Sequence, residues 1–127
     1  MEKDHFEQAK LWLEGAAYVS RLPLEDRNKY SVAIAMAIHS VMKANDALTI
    51  KFMNKVARRH DETRTLFGEL IKQRHVQEKY SDYKNILQDA INDKEKAECQ
   101  SSVFSKNDFD VFQRKAEKFL SMVEEIV

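Results

Sequence analysis

The chain reads as an all-α protein, an up-and-down bundle of four main helices plus one shorter helix. Three observations predict this. Only two Gly and one Pro interrupt 127 residues, so little in the chain breaks a helix. Apolar residues recur at three- and four-residue spacing in nearly every segment, with no sustained alternation of the kind a strand needs. The connections between periodic segments are short, which favours antiparallel neighbours. The length fits one domain, residues 1–127.

The first helix is expected over Lys3 to Ser20. Phe6, Ala9, Leu13, Ala16 and Ser20 mark its buried face, with Trp12 and Val19 broadening it. Gly15 costs about 1 kcal/mol mid-helix, and its use there is close approach to a neighbour. Arg21-Leu22-Pro23-Leu24 ends the helix, because the residue before Pro disfavours the α region.

The next stretch, Glu25 to about Asn54, carries neither Gly nor Pro. At 1.5 Å per residue, its helix of about 29 residues would be roughly 43 Å long. Val32, Ile34, Met36, Ile38, Val41, Met42, Leu48 and Ile50 face several ways, with alanines between them. A helix apolar on most sides is a buried, central one. Its first turn would hold Glu25 and Asp26, where carboxylates suit the helix dipole.

Asn54 to His60 is the least periodic segment and reads as a connection, after which Asp61 caps a helix to Gln73 that buries Leu66, Phe67, Leu70 and Ile71. A further helix spans Gln77 to Glu98, and Gln100 to Ser105 forms a loop. Ser105 and Asp108 have capping-box spacing. The last helix shows the most regular seam: Phe109, Phe112, Ala116, Phe119, Val123 and Ile126.

Composition excludes several classes of function. The single cysteine, Cys99, rules out an internal disulfide and a cysteine-rich zinc site. Glu2-x-x-His5 is half of a di-iron motif that needs a second such pair and two more glutamates, so no metal is expected, nor any other cofactor. There is no Gly-rich phosphate loop and no nucleophile elbow. No apolar run approaches the roughly 20 residues of a membrane span, and the expected location is cytoplasmic. Net charge is zero, but residues 51–75 carry +4 and the remainder −4. A basic segment of this kind attracts phosphates or an acidic partner, or is simply a solvated surface.

Two polar groupings are candidate sites. His39, Lys43 and Asp46 share one side of the central helix. They form either a polar pocket with His39 as proton carrier or a structural hydrogen-bond network, and the second is the plainer account. Arg58, Arg59 and His60 precede a helix start, where free N–H groups favour an anion. Asp61 and Glu62 compete for the same helix end as caps, so an anion site and a capped surface loop have equal claims.

The segments AIHSVMKANDALTI, RRHDETRTLFGEL, YKNILQDAINDKEKAEC and FDVFQRKAEKFLSMVEEIV, in that order, resemble the HEPN superfamily. The resemblance implies a small α-bundle, commonly a homodimer, associated with minimal nucleotidyltransferases or with toxin–antitoxin and other defence systems. Many such proteins are metal-independent ribonucleases carrying Arg, four to six residues, then His. No arginine of this chain has a histidine at that spacing, so the ribonuclease residues do not carry over. The resemblance therefore implies a non-catalytic partner of a nucleotidyltransferase-like or other nucleotide-handling protein, with nucleotide or RNA phosphates as a ligand. The alternatives are a ribonuclease using His60 as acid/base with Arg58 or Arg59 stabilising phosphate charge, and a plain dimeric scaffold.

Overall fold

The computed structural model describes residues 1–23, 26, 28–99 and 104–127, the side chains of residues 98 and 99 excepted. It contains five α-helices: α1 (Glu2–Ser20), α2 (Asn28–Met53), α3 (His60–Lys72), α4 (Lys84–Cys99) and α5 (Lys106–Ile126). A 3-10 segment, Glu78–Tyr83, precedes α4. No strand occurs among the described residues, and none of their helices is long and apolar enough to cross a membrane.

Helix α2 is the axis of the bundle, packing against all four others. Its alanines lie flush with its backbone: Ala33, Ala37, Ala44 and Ala47 are fully buried, as are Val41 and Leu48. Helix α1 runs antiparallel to it. The Ser40 hydroxyl donates to the Ala9 carbonyl (2.6 Å), Trp12 meets His39, and Gly15 faces Met36, a descending register along the pair. A Cβ on Gly15 would lie 2.7 Å from the Met36 Cε, so the glycine is where these two helices come closest. Helix α5 runs in the same direction as α2, since the Lys51 ammonium at the end of α2 donates to the carbonyl of Ile126 (2.7 Å).

The core is one cluster, rich in large side chains from different helices: Ile34, Ile38 and Leu48 of α2, Phe67 and Leu70 of α3, Leu87 of α4, Phe109 and Phe119 of α5. The expected seam of α5 is buried from Phe109 to Val123, with Ile126 only half-buried. The capping box at its start is complete. Ser105 accepts from the Asp108 N–H (3.1 Å), and the Asp108 carboxylate accepts from the Ser105 N–H (2.8 Å).

Three boundaries differ from expectation. Asp26 lies before α2 rather than in its first turn, and its carboxylate accepts the Asn28 N–H (2.9 Å). Glu25 is outside the described residues, as are residues 100–103 of the expected 100–105 loop. Asp61 does not cap α3. Arg59, in extended conformation, is the N-cap, and Asp61 lies inside the first turn. The segment expected as one helix from Gln77 begins as the 3-10 stretch, which sets Tyr80 edge-on to Tyr83 (5.2 Å).

Candidate functional site

The two polar groupings of the sequence occupy one place. His39, Lys43, Asp46, Arg58, Arg59 and His60, together with Met42, Ala57 and Thr63, line a single cleft of about 190 Å³. Helical periodicity brings the first three into line on α2. The others arrive because the chain reverses after α2. Asn54 adopts a left-handed conformation (φ 55°), which Asn tolerates better than most residues. Its N–H donates to the Ile50 carbonyl (3.1 Å). The following loop then runs back along α2 and brings the Ala57 N–H near enough to the Asp46 carboxylate to favour its charged form.

Behind the cleft, α2 and α3 are bonded to each other. The Asn45 side-chain amide, fully buried, donates to the Thr63 carbonyl (3.3 Å), and the Thr63 hydroxyl donates to the Met42 sulfur (3.6 Å). These contacts hold the first turn of α3 in place. The Asn45 Oδ1 and the His5 Nδ1 are buried with no hydrogen-bond partner among the described residues.

The carboxylates expected as caps have another role. Asp61 (3.5 Å) and Glu62 (3.6 Å) both engage the Arg59 guanidinium, while Glu62 also accepts the Arg58 backbone N–H (3.3 Å). Arg59 is thereby turned toward its own helix. The side-chain cations of Lys43 and Arg58 make no ion pair among the described residues. The cleft therefore keeps two cations outside any ion pair, and its own carboxylate, Asp46, lies within electrostatic reach of one of them, Lys43.

Electrostatics follow from this crowding. Burial pushes the Asp46 carboxyl above the ordinary carboxylate range, against the opposing pull of His5, the Ala57 N–H, Lys43 and His60. Partial burial holds the His39 imidazole below its ordinary value, and Lys43, Lys94 and His60 add to the effect by repulsion. His39 is accordingly biased toward the neutral form that can accept a proton. A phosphate entering such a cleft meets two cations held in no ion pair, one of them, Lys43, also attracted to the Asp46 carboxylate, and would accept charge-assisted hydrogen bonds from both.

Trp12, His5, Asn45 and Thr63 belong to this neighbourhood, and no local spacing in the sequence ties them to it. Trp12 packs edgewise on His39 (centroids 4.5 Å apart, planes at 72°). Its spacing predicts a place on the buried face of α1, yet 39% of its surface is exposed. In the sequence, His5 stands out only as half of an incomplete metal motif. Among the described residues, no three His, Cys, Asp or Glu side chains cluster as a metal site requires.

A wider hollow of about 350 Å³ between α4 and α5 is lined by Asp93, Lys96, Asp108 and Lys115 around Phe104 and Phe112. Its charges are balanced or occupied: Lys115 pairs with Asp89 (2.8 Å), and Asp108 serves the capping box. It lacks the cationic excess of the cleft on α2. No family model matches the chain, and no curated protein matches it.

Proposed function

We propose that the protein is a HEPN-type helical module that binds a phosphate group of a nucleotide or RNA. In this reading it works as a non-catalytic, homodimeric partner of a nucleotidyltransferase-like or other nucleotide-handling protein. The observation that carries the phosphate part is the convergence of unpaired Lys43 and Arg58 with His39 and His60 on one cleft. The family part is supported by the sequence resemblance and by the all-α bundle in which α2 is central. Tyr18 and Val32, exposed at the end of the α1–α2 hairpin away from the cleft, offer apolar surface to a second copy.

Calorimetric titration with inorganic phosphate tests the cleft. Lys43→Ala and Arg58→Ala should each weaken binding about tenfold or more, the worth of a charged hydrogen bond. Arg59→Ala should do less, because Asp61 and Glu62 already hold its guanidinium. Equal losses for Arg58 and Arg59, or no phosphate binding by the wild type, would refute the assignment.

One observation favours a second reading, a metal-independent ribonuclease: two imidazoles line the same cleft as the cations. Neutral His39 would take the proton of a 2′-hydroxyl as its oxygen attacks phosphorus. Protonated His60 would give one to the departing 5′-oxygen, while Lys43 and Arg58 hold the non-bridging oxygens. RNA cleavage in EDTA that is lost in both His39→Ala and His60→Ala would establish this chemistry. Phosphate binding without cleavage leaves the partner module.

A further inference from the structure

We propose that the cation cleft continues into a base-stacking platform built on Trp12, so that the bound group is a nucleoside monophosphate unit rather than a bare phosphate. This rests on the phosphate-binding reading above. Trp12 and Leu11 are 39% and 65% exposed on the outer side of α1, and with Gln8 they line a shallow depression of about 300 Å³. The depression and the cleft adjoin across one imidazole, because the Trp12 ring packs against His39 and His39 lines the cleft.

An indole beside unpaired cations matches the two halves of a nucleotide. Lys43 and Arg58 supply charge for the phosphate, and the exposed ring supplies a π-surface for the base. Base–aromatic stacking of this kind tolerates any base, and bases free of a duplex are the usual partners of exposed aromatics. Gln8 lies four residues before Trp12, one helical turn away, and its amide offers both a donor and an acceptor to a base edge. Phosphate alone gives no reason for an apolar wall at this edge of the cleft. The core side of α1 is satisfied by Phe6, Ala9 and Ala16, so Trp12 is not needed to close the bundle.

Trp12 is the only tryptophan in the chain, and its fluorescence therefore reports the platform directly. The wild type is titrated with ribose 5-phosphate, AMP and hexaadenylate RNA, following emission and heat, and the heats are repeated with Trp12→Phe and Trp12→Ala. AMP or hexaadenylate should quench the indole and bind about tenfold tighter than ribose 5-phosphate, the worth of one stacked base. The stronger of the two identifies the source, free nucleotide or RNA. Trp12→Ala should erase the advantage while leaving ribose 5-phosphate binding intact, and Trp12→Phe should keep most of it. Circular dichroism checks that the alanine variant folds; if it does not, quenching and the phenylalanine variant decide.

Equal binding of all three ligands would overturn the platform and leave the phosphate reading standing. So would equal weakening of all three by Trp12→Ala, which would mean that Trp12 only supports His39. An indole emission already blue-shifted by self-association and insensitive to AMP would assign the surface to a second copy. Binding of none of the ligands would remove the phosphate reading and the platform with it.

Discussion

Phe119→Ala is the most telling perturbation of the fold, because Phe119 sits where α5 meets the helix that opens the cleft. Phe119 and Phe67 are fully buried, with ring centroids 5.7 Å apart and planes at 52°. Removing the ring forfeits its transfer energy, its contact with Phe67 and the packing around the void it leaves. Buried Phe→Ala changes cost about 3–5 kcal/mol, within which the aromatic pair accounts for roughly 0.5–1.5 kcal/mol. Unfolding entropy near the midpoint is about 2.1 cal/mol/K per residue, or roughly 270 cal/mol/K for this chain, so Tm should fall by about 11–19 °C. Urea unfolding followed by circular dichroism, with m unchanged, gives the free energy directly. A loss below roughly 1 kcal/mol would refute the placement of Phe119 in the core. The cleft should survive wherever the variant is still folded, since Asn45 and Thr63 join α2 to α3 without Phe119. If folded Phe119→Ala binds phosphate as poorly as Arg58→Ala does, the cleft is not held independently in this way.

Asp46→Asn should raise Tm at pH 7. The folded state holds the Asp46 proton more tightly than the unfolded chain does, so ionisation costs stability as pH rises through the raised value. The gain should shrink as pH falls and vanish only well below the unfolded carboxyl value, where Asp46 is protonated in both states, and a lower Tm at pH 7 would contradict the burial argument. Ser105→Ala should cost about 1 kcal/mol in urea unfolding by removing half of the capping box of α5. Ser105→Thr should restore most of it.

Much of the bundle was legible because apolar spacing is dictated by helix geometry. The face of α5 and the central place of α2 follow from which residues recur three and four apart, although Val32 of α2 is exposed, and Gly15 announced the tight contact with Met36. Spacing did not reveal the 3-10 segment. Tyr80 and Tyr83 are three apart, and both helix types bring such a pair together. Asp61 does not cap because the helix starts two residues earlier than its side chain suggests, with Arg59 extended before it. Each half of the cleft was visible from local pattern, but its assembly depends on Asn54 reversing the chain, a left-handed turn made without glycine. The approach of Trp12 to His39 joins residues from two helices, and only their crossing decides it.

The lining of the cleft, from His39 to Thr63, comes from one continuous run of chain that joins the end of α2 to the start of α3. Lys43 and Arg58 lie outside the buried set that holds the bundle together. Substitutions at these positions, or a change in the length of the loop after Asn54, should therefore change the charge and shape of the cleft at little cost to folding. The phosphate-contacting residues of the proposed reading thus sit on a short cassette that can be exchanged or drift, while α4 and α5 keep the architecture constant.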